Sequence, residues 1–259
     1  MAAARHAARP LVIKLGGTTI AQEGNVLREV AALARERDVV VVHGGGKRLS
    51  EWLDRLGVEH RFSDGLRVTD EATLEVALAV LRGVVNAELV AELRRAGADA
   101  VGLSGIDGGL LAGEPVPGLG RVCSVAGVRG TILQALFLAG LVPLVAPLAA
   151  DGTGALCNVN ADDAAAGLAA GIGADLILLT DTDGVHDADG ARIPYLSAAE
   201  IEPLIADGVI TGGMIPKVRS AVRALVAPES VAVIAHGHAD GVLADALRGA
   251  ENGTRIGTA

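Results

Sequence analysis

Three lysines are the first residues to consider for chemistry. The 259-residue chain has only Lys14, Lys47 and Lys217 against nineteen arginines, and each lysine borders a glycine-rich turn. A lysine ammonium is a compact point charge suited to a phosphate oxygen. Chance placement in an arginine-biased composition is the alternative. The most pronounced of the turns is Val39-Val40-Val41-Val42-His43-Gly44-Gly45-Gly46-Lys47. Glycines let main-chain N–H groups approach an anion with no Cβ in the way, and a helix N-terminus adds partial positive charge. The same residues would also serve as a tight βα turn with no ligand. Lys14-Leu15-Gly16-Gly17-Thr18-Thr19 and Thr211-Gly212-Gly213-Met214-Ile215-Pro216-Lys217 repeat the pattern.

Polar residues collect at two further places. Asn158-Val159-Asn160-Ala161-Asp162-Asp163 puts two amides and two carboxylates just ahead of an alanine-rich helix. Helix capping accounts for one or two of them, and ligand binding is the alternative for the rest. Thr180-Asp181-Thr182-Asp183-Gly184-Val185 follows a strand, where acidic residues either bind sugar hydroxyls or metal-bound water, or make an Asp-Gly turn. Arg67 is either a solvated arginine or a clamp for a carboxylate. His43 reads as a packing or turn-bonding residue, and Lys47 as a helix-start lysine.

Elements that position these residues follow from hydrophobic spacing. Pro10 to Leu15, Val39 to Val42, Ala100 to Leu103, Leu141 to Ala146, Asp175 to Leu179 and Ser230 to Ala235 read as buried strands. Helices are expected over Asn25 to Arg37, Lys47 to Leu56, Ile132 to Ala139, Ala164 to Ala170, Ser197 to Ala206, from Thr211 onward, and over Val242 to Arg248. Gly57 suits a C-terminal cap, Asp70 an N-cap, and Ser197 with Glu200 a capping box. A long helical stretch from Glu71 to Arg95 should break near Gly83, and Leu110 to Thr131 has the punctuation of hairpins. A lysine at the carboxyl end of a parallel strand, as Lys14 would be, points at the crevice where open α/β sheets bind ligands.

Composition narrows the function. The formal net charge of −9 opposes nonspecific binding to nucleic acid or to an anionic membrane surface. Aromatics make up 2% of the residues, and Ala, Val, Leu and Gly dominate, as suits an α/β protein with many βα turns. Cys123 and Cys157 read as buried thiols in a reducing, cytoplasmic setting, with neither disulfide nor zinc spacing. Met1 to Arg9 is too short for a signal peptide, and the longest uncharged run, Ala135 to Ala150, falls short of a membrane span. Neither GxxxxGK[ST] nor GxGxxG occurs, which disfavours a dehydrogenase.

Seven segments, in order along the chain, resemble the amino-acid kinase family. They are Ile13-Lys14-Leu15-Gly16-Gly17, Val42-His43-Gly44-Gly45-Gly46, Asp64-Gly65-Leu66-Arg67-Val68-Thr69, Gly102-Leu103-Ser104-Gly105, Asn158-Val159-Asn160-Ala161-Asp162, Leu179 to Val185, and Gly212-Gly213-Met214-Ile215-Pro216-Lys217. Within the family they are most similar to the members that act on N-acetyl-L-glutamate. The resemblance implies an α/β fold, a three-layer αβα sandwich around a mainly parallel central sheet. One kinase domain would span 1–259, with an N-lobe (1–173) for the acyl amino acid and a C-lobe (174–259) for ATP. It implies phosphorylation of the γ-carboxylate of N-acetyl-L-glutamate by ATP, with Mg²⁺ carried by the nucleotide, in arginine biosynthesis.

By the same resemblance, Lys14 and Lys217 would hold the transferring phosphoryl group from opposite sides, with Asp162 orienting both. Gly44 and Gly45 would donate main-chain N–H groups, while Arg67 and Asn158 would bind the substrate's carboxylate and amide. Gly16, Asp181, Thr182, Asp183, Gly184, Val185, Thr211 and Gly213 would cradle the nucleotide. The nine residues before the first strand are shorter than the N-terminal helix that links arginine-inhibited members into hexamers, so a homodimer insensitive to arginine is expected. Two other readings remain: a kinase for carrier-protein-linked aminoadipate, and a non-catalytic ligand-sensing module of the same fold. The acidic net charge counts against an acidic carrier partner.

Overall fold

Strand β1 (Leu11–Leu15) and strand β2 (Val39–His43) are fully buried, and their side chains alternate between two separate hydrophobic clusters. Leu11, Ile13, Leu15, Val39 and Val41 enter one cluster, and Val12, Val40 and Val42 the other. That alternation follows from the two-residue period of a strand and requires a cover on each face. The computed structural model describes residues 8–16, 24–63, 65–249 and 252–258. Met1 to Ala7, Gly17, Thr18, Thr19 and Asp64, all invoked from sequence, lie outside the described residues.

Helix α1 (Gly24–Leu33) follows β1, and α2 (Gly46–Leu56) follows β2. A short hairpin, β3 (Arg61–Ser63) and β4 (Leu66–Val68), leads to α3 (Glu71–Ala77), a π-helical stretch Leu78–Val85, and α4 (Asn86–Arg95). Then come β5 (Ala100–Ser104), β6 (Leu111–Pro115), β7 (Val122–Val128), α5 (Thr131–Leu138), β8 (Val142–Ala146), β9 (Leu148–Asp151), β10 (Leu156–Val159) and α6 (Ala161–Ile172). The chain continues through β11 (Asp175–Thr180), β12 (Val185–His186), β13 (Arg192–Ile193), β14 (Tyr195–Ser197), α7 (Ala198–Ala206), α8 (Met214–Arg223), β15 (Ala232–His236), α9 (Val242–Arg248) and β16 (Gly253–Gly257).

The main sheet has the order β14-β16-β15-β11-β1-β2-β8-β5. The run from β15 to β5 is parallel throughout, while β16 pairs antiparallel with β15 and parallel with β14. Residues of α1, α2, α4 and α9 cover one face, and residues of α5, α6, α7 and α8 the other. This is the mainly parallel αβα sandwich expected from sequence. At one end of the sheet, β6, β7, β9 and β10 close into a small four-stranded barrel.

Several local expectations are borne out. Asp70 accepts from the Thr73 N–H at 2.8 Å, Gly57 caps α2 in the left-handed conformation at φ 68°, and Ser197 forms a capping box with Glu200. Others are corrected. The helix expected over Asn25 to Arg37 ends at Leu33. No break occurs at Gly83: the backbone stays right-handed and widens into π winding, so the helical run is continuous from Glu71 to Arg95. The hairpin over 110–131 is half of the closed barrel. Strand β16 lies beyond the last element expected from sequence. A Cβ at Gly253 would sit 2.8 Å from the Ile234 carbonyl oxygen, so the close approach to β15 needs glycine there.

Candidate active site

The parallel strands present their carboxyl ends to one cavity of about 430 Å³, lined in part by Lys14, Gly16, Gly44, Gly45, Arg67, Asn158, Asp162, Asp181 and Lys217. Lys14 lies one residue before the end of β1, on the face it shares with Val12. That face is covered by α6. Ala164, Ala165 and Ala166 are fully buried there, and their small side chains let α6 lie close to the sheet. Asp162, in the first turn of α6, is thereby brought to Lys14. Its carboxylate also suits the positive end of the helix.

Lys217 arrives from α8. The turn before it uses Gly212 at φ 55°, a left-handed conformation that glycine adopts without strain. Pro216, in the first helical turn, has no N–H to leave unpaired. One carboxylate then joins both amines. Lys14 Nζ lies 2.8 Å from Asp162 Oδ1, and Lys217 Nζ lies 2.9 Å from Oδ2. Asp162 and Lys14 are almost entirely buried, while the Lys217 side chain is 20% exposed. Burial raises the pKa of Asp162, but the two ammonium groups more than offset this and hold it below the usual carboxylate value. Burial likewise lowers the pKa of Lys14; Asp162 opposes the shift and Lys217 adds to it.

The dense polar stretch 158–163 divides by role. Asn160 caps α6, accepting from the Asp162 and Asp163 N–H groups at 2.8 and 3.2 Å. Asp163 accepts from the Val125 N–H at 2.8 Å and pairs with Arg223, so it ties the helix to the barrel. Asn158 and Asp162 line the cavity, and Asn160 reaches it too, although its side-chain oxygen is used in the cap. Asn158 sits on β10, with its amide donating to Thr69 Oγ1 at 3.4 Å.

Arg67 on β4 is buried, and one edge of its guanidinium is spoken for. Nη2 donates to the Gly46 carbonyl at 3.0 Å and to Ser50 Oγ at 2.7 Å, and the group stacks over the Phe62 ring at 4.5 Å. Nη1 is buried and has no hydrogen-bond partner among the described residues. Arg67 lines the cavity, and a buried guanidinium nitrogen without an acceptor at its edge is one a carboxylate-bearing ligand could complete.

In the glycine turn, the Gly44 N–H donates to the Leu15 carbonyl at 3.0 Å. It is therefore not available to a ligand. Among the described residues the N–H groups of Gly45 and Gly46 have no acceptor, and both residues line the cavity. A Cβ on Gly45, at φ 139°, would meet Leu81 at 2.7 Å, whereas one on Gly46 would meet nothing within 4 Å.

Of the residues expected around a nucleotide, Gly16 and Asp181 line the cavity. Thr182 Oγ1 is buried with no partner among the described residues. Gly184 and Val185 pack against β16: a Gly184 Cβ would lie 2.5 Å from Thr254 Oγ1, and the Val185 N–H donates to that oxygen at 2.8 Å. Asp183 pairs with His186 at 2.9 Å. Thr211 and Gly213 are exposed at the start of α8. Several cavity-lining residues were given no ligand role from sequence, among them two with side chains able to contact a ligand. Lys47 is one, exposed at the first turn of α2; Phe62 is the other, and as one of only two phenylalanines in the chain it carried a signal that went unread.

No described helix is long and apolar enough to cross a membrane. Among the described residues, no group of three or more His, Cys, Asp or Glu is placed to hold a metal ion. Both oxygens of Asp162 are taken by ammonium groups.

Two ammonium groups meet on one carboxylate, one buried and one partly exposed, beside glycine amides that have no acceptor among the described residues; such a set of donors suits a phosphoryl group. The model of the amino acid kinase family matches residues 9–236, and the chain belongs to that family. It is 46% identical over 250 residues to the acetylglutamate kinase of Rubrobacter xylanophilus, an alignment covering 96% of this chain and 97% of that one. It is likewise 46% identical over 255 residues to the acetylglutamate kinase of Solibacter usitatus, covering 96% and 99%. Among solved structures it is similar to smu.665 from Streptococcus mutans UA159, with TM-score 0.84, 26% identity, and 96% and 99% of the two chains covered.

Proposed function

We infer that this chain is a phosphotransferase with a carboxyl acceptor, transferring the γ-phosphoryl group of ATP to the γ-carboxylate of N-acetyl-L-glutamate, as an acetylglutamate kinase does. The observation that carries the reading is the Lys14–Asp162–Lys217 bridge in a cavity also lined by Arg67, whose Nη1 has no partner among the described residues. The identity to acetylglutamate kinases over nearly the whole chain supports the substrate.

The chemistry asks little of general acids or bases. The acceptor is a glutamate-type carboxylate, whose ordinary pKa of about 4.3 leaves it already ionised at neutral pH. One of its oxygens attacks the γ-phosphorus, the bond from that phosphorus to the bridging oxygen breaks, and ADP leaves; no proton moves. The barrier is the approach of one anion to another. Lys14 would face the transferring group from the acceptor side and Lys217 from the leaving-group side. Asp162 would hold both amines in register without carrying a proton. The free N–H groups of Gly45 and Gly46 would receive phosphoryl oxygens, a role that falls to Gly46 in place of Gly44. Donors fixed before the reaction lower such a barrier without reorganising.

Arg67 would hold the α-carboxylate through Nη1, and Asn158 the acetamido group. Gly16, Asp181 and Thr182 would contact the nucleotide, with Thr211 and Gly213 at its phosphate end. Magnesium would come with the nucleotide and neutralise its phosphates. On this reading the acceptor belongs to 1–173 and the nucleotide to 174–259. A cytoplasmic homodimer completes the proposal, with the two free, buried thiols Cys123 and Cys157 fitting a reducing compartment.

The test is to trap the acyl phosphate with hydroxylamine, offering N-acetylglutamate, glutamate and carrier-linked aminoadipate side by side. Hydroxamate from N-acetylglutamate is the expected product. Hydroxamate from either of the others alone would replace the substrate, and none from any would end the reading.

A further inference from the structure

Behind the glycine turn lies a buried polar cluster that no substrate can reach. His43, the last residue of β2, is wholly buried. Its Nδ1 is 2.6 Å from the Gly44 carbonyl oxygen, and its Nε2 is 3.1 Å from Asn86 Nδ2. The orientation of the Asn86 amide is settled by its other neighbours. Nδ2 also reaches the carbonyls of Leu144 at 3.0 Å and Leu103 at 3.3 Å, while Oδ1 faces Arg82 Nη1 at 3.5 Å. The nitrogen, which can only donate and has two hydrogens for three neighbouring acceptors, therefore lies toward His43, and Nε2 facing it carries no proton. Since a carbonyl can only accept, Nδ1 carries the ring's single proton. A second proton on Nε2 would point at an amide donor. Burial, with a smaller effect from Arg82, pushes the imidazole pKa down to about 4, and the hydrogen bond to Gly44 only partly opposes this.

This neutral ring grips one peptide plane. In a trans peptide the carbonyl and the following N–H point in opposite directions. With the Gly44 carbonyl drawn back toward His43, the Gly45 N–H turns away from the buried cluster, toward the cavity that Gly45 lines. The other side of Gly44 is tied as well, through its N–H to Leu15. Three consecutive glycines would otherwise leave this peptide free to flip, since none has a Cβ to oppose it. Gly102 makes room for the cluster: a Cβ there would fall 2.0 Å from Asn86 Oδ1.

We propose that His43, oriented by Asn86, is a positioning residue for phosphoryl transfer, whose Nδ1–H fixes the Gly44–Gly45 peptide so that the Gly45 N–H faces the transferring group. The step rests on the function proposed above. It adds a residue that touches neither substrate and acts through the peptide it holds.

Two measurements on the full chain test it. Long-range ¹H–¹⁵N spectra of ¹⁵N-histidine-labelled protein should report His43 as one neutral ring, protonated on Nδ1, from pH 8 down to pH 5. An Nε2–H tautomer, or a charged ring at neutral pH, overturns the proposal. In the hydroxamate assay, His43→Leu should lower kcat by roughly 10- to 100-fold, part of the 10²–10³ lost when an oxyanion donor is removed outright. KM for ATP and for N-acetylglutamate should stay within about threefold. His43→Asn, whose amide nitrogen can replace Nδ1–H, should recover most of the loss. Wild-type kcat in His43→Leu, or equal losses in both variants, overturns it. If the spectra are as expected but wild-type protein gives no hydroxamate, the substrate assignment fails and the peptide clamp stands.

Discussion

Lys217 donates to Asp162 at 2.9 Å across 55 residues of chain, from one helix to the first turn of another. The second oxygen of the same carboxylate holds Lys14. The two amines are thus tethered to one point at the carboxyl ends of β1 and β11, and removing them singly should have different consequences.

Lys217→Ala should fold with a melting temperature close to wild type, because the lost side chain is partly exposed and Asp162 keeps Lys14 as partner. Turnover should fall by about 10²–10³, the usual loss for one preorganised donor. Calorimetry and the hydroxamate assay check both halves, and wild-type-like turnover would remove Lys217 from the mechanism.

Asp162→Asn should be costlier to the fold. It leaves Lys14 buried without its counter-ion, and breaking a buried pair in this way costs on the order of 3–5 kcal/mol. It should also change the pH profile. Lys14 already loses its proton below the ordinary lysine value of 10.5, and Asp162 is what opposes that shift. The alkaline limb of kcat/KM should therefore begin below pH 10.5 in the wild type and move further down in Asp162→Asn. An unmoved limb would dissociate Lys14 from activity.

Arg67→Lys keeps the charge and loses the fork. The Nη2 bonds to Gly46 and Ser50, the stack on Phe62 and a further bond from Nη1 cannot all be made by one ammonium. KM for N-acetylglutamate should rise about 10- to 100-fold, the equivalent of one or two charge-assisted hydrogen bonds, with KM for ATP little changed. A rise confined to ATP would place Arg67 on the wrong substrate.

The buried His43 makes a prediction about stability. Its folded pKa, about 4, lies below the ordinary 6.5. The unfolded chain takes up a proton as pH falls through 6.5, and the folded chain does not. The contribution is therefore whole above pH 6.5 and is lost between 6.5 and 4, amounting to about 3 kcal/mol from a shift of this size. Urea denaturation across that range should lose less stability in His43→Asn than in wild type; parallel curves would contradict the assignment.

Much of the site was legible because its parts are local. A lysine before two glycines, a glycine triplet after four valines, and an asparagine and aspartate at a helix start each state a strand end or a helix end by themselves. What was not legible depends on neighbours brought in from elsewhere. That the Gly44 N–H is already used follows from the register of β1 against β2, where Leu15 lies beside His43. That Asp163 serves the fold while Asn158 and Asp162 line the cavity depends on the barrel and on Arg223. Phe62 reaches the cavity because the β3–β4 hairpin lies against α2, where Arg67 bonds to Gly46 and Ser50. The continuous helix past Gly83 is a tertiary override of a weak local preference.

The four-stranded ring formed by β6, β7, β9 and β10 carries Asn158 on one of its staves. An open ribbon can slip by one residue at its rim, exchanging inward and outward side chains at little cost. A hoop offers no rim, so a slip in any stave must break the ladders on both its flanks at once. Whatever domain motion lets substrates in and products out, this corner of the molecule should travel as a single stiff piece.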